Sequence, residues 1–319
     1  MKFYFAPMEG ITGYIYRNAH QACFQRPDKY FSPFIEANQK GTIKGRSLRD
    51  ILPENNQNIT LVPQILTNNA ENFVKTAKTL QAYGYEEVNL NLGCPSGTVV
   101  SKRKGAGFLA YPEELDAFLA AVFEGLDMKI SVKTRLGMKS PEEFEALLTI
   151  YRRYPISELI VHPRVREDYY KNTPKLEIFR RAIPAEHLET ITENETKLCY
   201  NGDLFSVEDY RRVTGQIPEV DTIMFGRGLL MNPALLQQIE GGDGCTAEVF
   251  REFHQRIFDG YREILSGDRD VLFKMKELWY YMSHLFTDSE SYLKKIRKAQ
   301  SCSAYEAVVL SLLREQKIQ

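Results

Sequence analysis

The sequence predicts an α/β protein, a (β/α)8 TIM barrel over residues 1–241, followed by a small all-helical domain over residues 245–319. Eight short strand-like runs alternate with helix-like segments before residue 241. Polar residues and glycines recur where these runs end. After Gly241-Gly-Asp-Gly244 no strand-like run remains and the apolar residues keep helical spacing. Eight strand-then-helix repeats indicate a parallel sheet that closes into a barrel.

Each predicted element follows from apolar periodicity and from its end signals. The predicted strands are residues 2–5, 30–35, 61–65, 88–92, 130–134, 159–162, 197–200 and 222–225. The predicted helices are residues 14–22, 69–82, 112–125, 141–154, 175–182, 206–213 and 228–239, with one helical piece within 36–58. Asn68 or Asn69 is expected to cap the helix at 69–82, and Ser140 the helix at 141–154. Pro112 fits the first turn of its helix.

The residues after 245 predict a helical bundle. Segments 246–265, 270–286 and 289–315 carry apolar residues at helical spacing. Their apolar stripes, including Trp279 and Tyr280, are expected to form the core of this bundle.

Composition narrows the class of protein. The chain has 319 residues, of which 43% are hydrophobic and 26% charged, which suffices for one large core. Its five cysteines are dispersed without a C-x-x-C pair, so neither a disulfide framework nor a structural metal site is predicted. No apolar run is long enough to cross a bilayer, and the N-terminus does not resemble an export signal. We expect a cytoplasmic protein that does not contact membranes, and a monomer.

Charge gives no general indication of a nucleic-acid partner. The formal net charge is −1, whereas nucleic-acid-binding domains are often strongly basic. A polyanion would therefore need local basic patches. The candidates are Lys102-Arg103-Lys104, the cations of residues 40–49, the pair Arg164 and Arg166, and the run from Lys294 to Lys298.

Polar residues lie at the predicted ends of most strands, where the active site of a barrel is built. In strand order they are Ala6-Pro7-Met8, Gln64, Asn91 with Cys94, Lys133 with Arg135, His162 with Arg164, Asn201-Gly202-Asp203 and Gly226-Arg227-Gly228. Taken together, this set predicts a bound flavin mononucleotide (FMN).

Each of these residue types suits one part of FMN. The amide of Gln64 both donates and accepts hydrogen bonds, as the pyrimidine edge of the flavin requires. Lys133 would stabilise the negative charge of the reduced ring, and His162 would hold a ring oxygen or nitrogen. Asn201-Gly202-Asp203 and Gly226-Arg227-Gly228 follow the seventh and eighth strands, where barrels commonly bind phosphate.

Cys94 is a candidate for chemistry because it follows a strand and lies between Gly93 and Pro95. No regular element continues through this loop, so the thiol is not required in a core.

The motifs resemble those of the tRNA-dihydrouridine synthases. They are Ala6-Pro-Met-Glu-Gly-Ile-Thr12, Asn89-Leu-Asn-Leu-Gly-Cys-Pro-Ser96, Lys102-Arg-Lys-Gly-Ala-Gly107, Val132-Lys-Thr-Arg-Leu-Gly137, Val161-His-Pro-Arg164, Tyr200-Asn-Gly-Asp203 and Phe225-Gly-Arg-Gly228. They occur in order over nearly the whole predicted barrel, and the segment around Cys94 is the most specific. The chain departs from the usual family pattern at Gly13, Pro163, Val165 and Asn172.

The resemblance implies an enzyme that uses FMN and NADPH to reduce a uridine of tRNA to dihydrouridine. Cys94 would protonate uracil C5 while hydride is delivered to C6. Asn91 and Arg135 would contact the uracil, and Tyr170 would line the same pocket. The helical domain would help to hold the RNA, with Lys102, Arg103 and Lys104 near the pocket and Lys294, Lys295, Arg297 and Lys298 on the helices as phosphate contacts.

Two other functions remain open from the sequence. One is an FMN barrel that acts on a free small molecule, as dihydroorotate dehydrogenases do. The other is a non-catalytic RNA-binding protein that uses the barrel as a scaffold, although the presence of Cys94 and Lys133 argues against it.

Overall fold

The computed structural model describes residues 1–183 and 196–319. The strands are β1 (Lys2–Phe5), β2 (Lys29–Phe31), β3 (Ile35–Glu36), β4 (Leu61–Val62), β5 (Gln64–Leu66), β6 (Glu87–Leu92), β7 (Lys129–Arg135), β8 (Glu158–His162), β9 (Lys197–Tyr200) and β10 (Thr222–Phe225). The α-helices up to the barrel's end are α1 (Tyr14–Cys23), α2 (Gly45–Ile51), α3 (Ala70–Ala82), α4 (Gly97–Val100), α5 (Pro112–Gly125), α6 (Glu143–Tyr151), α7 (Leu176–Phe179) and α8 (Val207–Thr214). They are followed by α9 (Arg227–Met231), α10 (Leu235–Ile239), α11 (Ala247–Ile264), α12 (Asp268–Met282), α13 (Glu290–Lys298) and α14 (Cys302–Glu315).

The strands form a closed parallel barrel, which confirms the predicted fold class. The hydrogen-bonded order is β3-β5-β6-β7-β8-β9-β10-β1-β2-β4. β2 and β3 are two pieces of one strand, separated by residues 32–34, and β4 and β5 are separated by Pro63 alone. β4 pairs with β2 and β5 pairs with β3, so both ends of the ladder belong to the same pair of broken strands. The ten pieces therefore occupy eight strand positions. Pro63 lacks an N–H group, which accounts for the break it makes.

Side chains from six strands fill the barrel interior. The interior cluster contains Tyr4, Ala6, Phe31, Val62, Ile160, Cys199 and Met224. In parallel strands, residues that pair laterally share a face of the sheet. Lys133 pairs with both Asn91 and Ile160, so these two polar residues face the same interior as Ile160.

The N-terminal end of the barrel holds a buried ion cluster. Lys29 Nζ lies 2.6 Å from Glu87 Oε2 and 2.9 Å from Glu158 Oε1. The hydroxyl of Tyr4 donates to the same Glu158 oxygen at 2.7 Å. This cluster joins four strand positions of the barrel, those of β1, β2, β6 and β8.

The helices lie where they were predicted, but some of them begin or end at other residues or are capped by other side chains. The side chain of Asn69 accepts from the Asn72 amide and caps α3, as predicted. Ser140 does not cap α6, so that prediction was wrong. The Glu143 carboxylate instead accepts from the backbone amides of Met138, Lys139 and Ser140, and α6 begins at Glu143.

Two predicted helical segments are each divided. Residues 228–239 form α9 and α10, and Pro233 lies in the break between them. Residues 289–315 form α13 and α14. The second of these begins anew because the Ser301 hydroxyl accepts from the Ala304 amide.

The chain contains two compact units. The first comprises Met1–Pro7, Asp28–Asp203 and Val213–Phe225, and its described residues include all ten strands. The second comprises Met8–Pro27, Leu204–Arg212 and Gly226–Gln319. The predicted boundary between residues 241 and 245 stays a prediction.

The second unit is a helical assembly in which α1 packs against α11. The ring of Phe253 lies 5.4 Å from that of Tyr16 and 5.2 Å from that of Phe24. A further buried group joins three helices, because Trp279 Nε1 donates to the Tyr305 hydroxyl at 2.6 Å and His254 Nε2 lies 2.5 Å from the same oxygen. Trp279 is therefore core, as predicted.

Tyr280 is not core, contrary to the prediction. Its side chain is 59% exposed. Adjacent residues of a helix point about 100° apart, so Trp279 and Tyr280 do not share a face. No helix among the described residues is long and apolar enough to span a membrane.

Candidate active site

A chain of hydrogen bonds between buried polar side chains crosses the barrel interior next to the candidate site. We call it the amide chain, because three of its four members are amides. Ser131 Oγ accepts from Asn89 Nδ2 at 2.9 Å, and Asn89 Oδ1 accepts from Gln64 Nε2 at 2.7 Å. Gln64 Oε1 in turn accepts from Asn91 Nδ2 at 2.7 Å. All four side chains are buried. The polar residues of β6 thus face the interior, while Val88, Leu90 and Leu92 face the surrounding helices.

The last member of this amide chain holds the loop that carries Cys94. Asn91 Oδ1 accepts from the backbone amides of Gly93, at 3.1 Å, and Cys94, at 2.9 Å. The Cys94 carbonyl accepts from the Ala106 amide at 3.1 Å. Backbone hydrogen bonds on both sides of Cys94 therefore fix its position, and its side chain is half-buried.

Gly105 is required beside this loop. It has φ +55°, and a Cβ atom there would lie 2.9 Å from the Cys94 carbonyl oxygen and 3.1 Å from its Cβ. A larger residue would be strained and would displace the cysteine.

Arg135 forms hydrogen bonds with both the Cys94 loop and the loop that follows β8. Its Nε donates to the Gly93 carbonyl at 2.8 Å, and its Nη1 donates to the carbonyls of Val165 and Tyr169 at 3.1 and 3.0 Å. The guanidinium is buried, and burial lowers its pKa. Three carbonyls solvate this cation, and Arg135 thereby determines the distance between the two loops.

Lys133 lies half-buried at the same end of the barrel. Burial and, to a smaller extent, the positive charge of Arg135 together lower the pKa of its amine to about 8. Within residues 1–183 and 196–319, Lys133 has no hydrogen bond or ion pair. A desolvated ammonium group without a partner favours an anionic or hydrogen-bond-accepting ligand.

His162, Arg164 and Asp203 form a second cluster. Arg164 makes a two-pronged pair with Asp203, at 2.9 and 2.5 Å, and its Nη1 lies 3.2 Å from His162 Nε2. Arg164 Nε donates to the Asn172 carbonyl at 2.5 Å. The Asp203 carboxylate is therefore committed to Arg164, and the cluster orients the His162 ring.

Tyr170 lies at the mouth of the site with 42% of its side chain exposed. The Arg135 guanidinium is 5.5 Å from the centre of its ring, and the His162 ring is 5.9 Å away. The loop around Tyr170 is braced by Asp168, which accepts from the Val165 amide and from the Asn172 side chain. Tyr170, Arg135 and His162 are thus brought together.

The predicted phosphate residues fall in both compact units. Asn201 donates from Nδ2 to the Met224 carbonyl at 2.7 Å, and a Cβ at Gly202 would lie 1.9 Å from the Tyr200 hydroxyl. In the first predicted motif, the Ala6 amide donates to the Phe225 carbonyl at 2.7 Å. Pro7 is the last residue of the segment Met1–Pro7, which belongs to the first unit.

Three predicted cofactor residues belong to the second unit. The Met8 amide donates to Thr12 Oγ1 at 2.9 Å. Gly226 is the N-cap of α9, and the Arg227 guanidinium lies 5.2 Å from the centre of the Phe205 ring. The cofactor roles of these residues stay predictions.

The predicted RNA-contacting run is largely paired within the barrel unit. Lys102 and Lys104 approach the same oxygen of Glu36, at 3.7 and 2.8 Å. Arg103 lies 3.5 Å from Glu114 and 4.4 Å from the centre of the Tyr111 ring. These contacts offset part of the positive charge of the run.

Sequence reasoning missed the supporting residues Asn89, Ser131, Asp168 and, as the partner of Asp203, Arg164. Asn89 precedes Asn91 by two residues, so both lie on one face of a strand, and this spacing was the available signal. The pairing of Arg164 with Asp203 depends on the fold and has no local signature. Among the residues that the structure describes, no three His, Cys, Asp or Glu side chains are grouped to hold a metal ion.

Comparison with known proteins relates the chain to one family. The sequence profile described as dihydrouridine synthase matches residues 4–311. A probable tRNA-dihydrouridine synthase 2 of Bacillus subtilis (strain 168) is 30% identical over 233 residues, which cover 72% of this chain and 70% of that protein. A probable tRNA-dihydrouridine synthase of Staphylococcus aureus (strain MRSA252) is 29% identical over 267 residues, covering 82% and 78%. A solved structure of a variant of NCR from Zymomonas mobilis covers 79% of this chain and 90% of that chain at 12% identity, with a TM-score of 0.48.

Proposed function

Because the chain belongs to the dihydrouridine synthase family of flavin-dependent oxidoreductases, we propose that it reduces the C5=C6 bond of a uridine in tRNA, giving dihydrouridine. FMN is the proposed flavin and NADPH the proposed reductant. The observation that carries this proposal is the pair formed by Lys133, which has no partner among the described residues, and the fixed loop of Cys94 at one end of the barrel. Reduction of the double bond needs a stabilised hydride source and a nearby acid.

The residues of the site fit FMN. The Lys133 ammonium, which has no partner in the part of the chain that the structure describes, would supply the cation that the flavin N1 edge requires, and His162 is oriented by Arg164. Gln64 keeps one amide hydrogen and one lone pair beyond its bonds to Asn89 and Asn91. When bound, FMN supplies the hydride that is added at uracil C6.

At the phosphate end, Gly202 leaves no room for a side chain beside Tyr200, so its backbone is open to a close approach. Asn201, Gly202, Gly226 and Arg227 are the proposed phosphate contacts. Asp203 supports this end through Arg164, and Ala6, Pro7 and Met8 are proposed to line the flavin ring.

Cys94 is the proposed general acid. Its S–H group gives a proton to uracil C5 as hydride is added to C6, so that one proton and one hydride account for the two hydrogens gained. The resulting thiolate regains its proton from solvent. Asn91, through the two amides that its Oδ1 accepts, places the thiol for this transfer.

Tyr170, Arg135 and Asn91 are proposed to hold the uracil. The exposed ring of Tyr170 provides a face on which a base turned out of its stack can lie. Arg135 and Asn91 each retain N–H groups that are suited to the uracil carbonyl oxygens.

The RNA backbone is proposed to lie over local cations. Lys294, Lys295, Arg297 and Lys298 of α13 are exposed. Among the described residues, Lys294, Arg297 and Lys298 form no ion pair, whereas the charge of Lys295 acts on the Glu315 carboxyl. They are better suited to phosphates than Lys102, Arg103 and Lys104, which already contact Glu36 and Glu114. We place the enzyme in the cytoplasm with its tRNA substrate, as a monomer.

This proposal is tested by measuring two half-reactions of the purified protein separately, the reduction of its flavin and the reoxidation of that flavin. We expect a yellow protein whose flavin is bleached by NADPH under anaerobic conditions. Unmodified tRNA should then reoxidise the flavin, whereas free uridine and dihydroorotate-type small molecules should not. Reoxidation by a free pyrimidine at the rate given by tRNA would favour a small-molecule oxidoreductase instead. Protein that binds tRNA without any flavin would indicate a scaffold.

A further inference from the structure

Two of the most exposed large hydrophobic side chains lie on the same helix. Phe273 is 67% exposed and Tyr280 is 59% exposed, both on α12 of the second unit. Single exposed aromatics are common on protein surfaces and need no explanation. Two such rings on one helix form a surface that can be tested for a partner.

The two rings share one face of α12 with a cation. Phe273 and Tyr280 are seven residues apart, which places them about 20° apart around the helix and about 10 Å apart along it. Arg269, four residues before Phe273, is also exposed on this face. We call Arg269, Phe273 and Tyr280 the aromatic stripe.

The helix that carries the aromatic stripe contacts the C-terminal end of the basic helix α13. Lys276 of α12 donates from Nζ to the carbonyl of Ala299, the C-cap residue of α13, at 2.6 Å. Lys294, Arg297 and Lys298 are spaced three and four residues apart and so share a face of α13. The helix that carries the exposed rings thus contacts the end of a helix whose three cations form no ion pair among the described residues.

Two of the three carboxylates of α12 already have partners within the second unit. Asp268 accepts from the Cys302 amide at 2.7 Å, and Glu277 contacts Lys274 at 3.2 Å. Asp270 is the remaining carboxylate of the helix.

We propose that the aromatic stripe stacks unpaired bases of the RNA substrate, while the cations of α13 hold its phosphates. Single-stranded nucleic acid is bound in this manner, by aromatic rings that face the bases and a basic groove that follows the backbone. This inference rests on the proposed function in taking tRNA as the substrate. A second copy of this chain fits the surface less well, because facing copies would bring their Arg269 and α13 cations together.

The test measures binding of an unmodified tRNA transcript to the full-length, FMN-loaded protein over a series of salt concentrations. Phe273→Ala and Tyr280→Ala should each weaken binding about 5- to 150-fold, the range expected for loss of one stacked base. The slope of affinity against salt should stay unchanged, because neither ring neutralises a phosphate. Lys294→Glu should instead reduce the salt slope.

Three further variants separate stacking from other effects. Tyr280→Phe keeps the ring and should bind normally, whereas Phe273→Leu keeps an apolar side chain and should bind as weakly as Phe273→Ala. Leu310→Ala removes a side chain that is 48% exposed on α14, outside the stripe, and serves as the matched control. Thermal unfolding and FMN content should match those of the unchanged protein in all variants.

Wild-type tRNA affinity in both alanine variants would overturn the inference. So would a sedimenting dimer that Phe273→Ala dissociates without altering tRNA binding, since the surface would then serve a second copy. If tRNA binds through the stripe but no dihydrouridine forms, the stripe stands and the proposed function fails. If dihydrouridine forms and the stripe variants bind normally, only the stripe is wrong.

Discussion

At the residue scale, Cys94 has one proposed task, protonation of uracil C5. Asn91 and Ala106 hold its backbone, and Gly105 leaves the space beside it. A residue that only donates a proton to the substrate should be dispensable for cofactor binding and for reduction of the cofactor.

We therefore predict that Cys94→Ala binds FMN and is bleached by NADPH normally, but is reoxidised by tRNA about 100- to 10,000-fold more slowly. Stopped-flow absorbance measures both steps separately. Cys245→Ala, which changes another half-buried cysteine outside the site, should react normally. Normal reoxidation of the Cys94 variant would remove the acid role.

Lys133 gives a second prediction at this scale, from its pKa of about 8. Below that pH the amine is protonated and attracts FMN, and above it the charge is lost. The affinity of the apoprotein for FMN should therefore decline from about pH 8 upward, approaching tenfold per pH unit. Lys133→Met should bind FMN more weakly, with little change between about pH 7 and 9. A pH-independent affinity in the unchanged protein would contradict this role.

At the element scale, the amide chain on β5, β6 and β7 shows what the sequence could and could not supply. Gln64, Asn91 and Lys133 were recognisable because each ends a predicted strand, and their contacts place Gln64 beside Asn91. The sequence did not show that Gln64 is shared between two asparagines, since that depends on the register of three strands. In the sequence alone, polar residues that face the inside of a barrel also cannot be distinguished from polar residues on the solvent face of an alternating strand.

Prediction from the sequence is limited in the same way for the helices. The apolar spacing of α12 located the helix, but it did not separate buried Trp279 from exposed Tyr280, because both are large aromatics. The divisions between α9 and α10 and between α13 and α14 depend on a proline and on a serine cap, which were visible in the sequence. Pairings over long sequence distances, such as Arg164 with Asp203, were not.

Two buried histidines of the helical unit predict how its stability depends on pH. Burial lowers the pKa of His20 and of His254 to about 4. The unfolded chain therefore takes up more protons than the folded one between about pH 6.5 and 4, and stability should fall as the pH falls through this range. The loss approaches about 3 kcal/mol for each histidine.

Urea unfolding at several pH values measures this effect. His254→Phe should reduce the dependence on pH between 6.5 and 4 by about half, although it loses the hydrogen bond to Tyr305. A variant that keeps the full dependence would show that His254 does not bind a proton on unfolding.

At the scale of the whole molecule, a cluster of ion pairs lies at one end of the barrel, and the residues proposed for catalysis lie at the other. Lys29 compensates the buried carboxylates of Glu87 and Glu158, and these residues come from three strand positions. This arrangement separates residues needed for stability from those proposed for catalysis.

Lys29→Met should therefore lower the free energy of unfolding by about 3 to 5 kcal/mol, because it leaves the buried carboxylate of Glu158 and the largely buried carboxylate of Glu87 without a cation. Lys75→Met breaks an exposed pair with Glu71 and should change the free energy of unfolding far less, because water and salt screen this pair. Denaturant unfolding compares the two. Equal effects would show that the buried cluster does not stabilise the barrel.

Nucleoside and fragment mass spectrometry of unmodified tRNA, after incubation with the FMN-loaded protein and NADPH, tests the central proposal most directly. We expect a gain of two hydrogens at a defined uridine, and we expect no such gain when Cys94→Ala replaces the unchanged protein. Unaltered tRNA mass, with a flavin that NADPH still reduces, would contradict it.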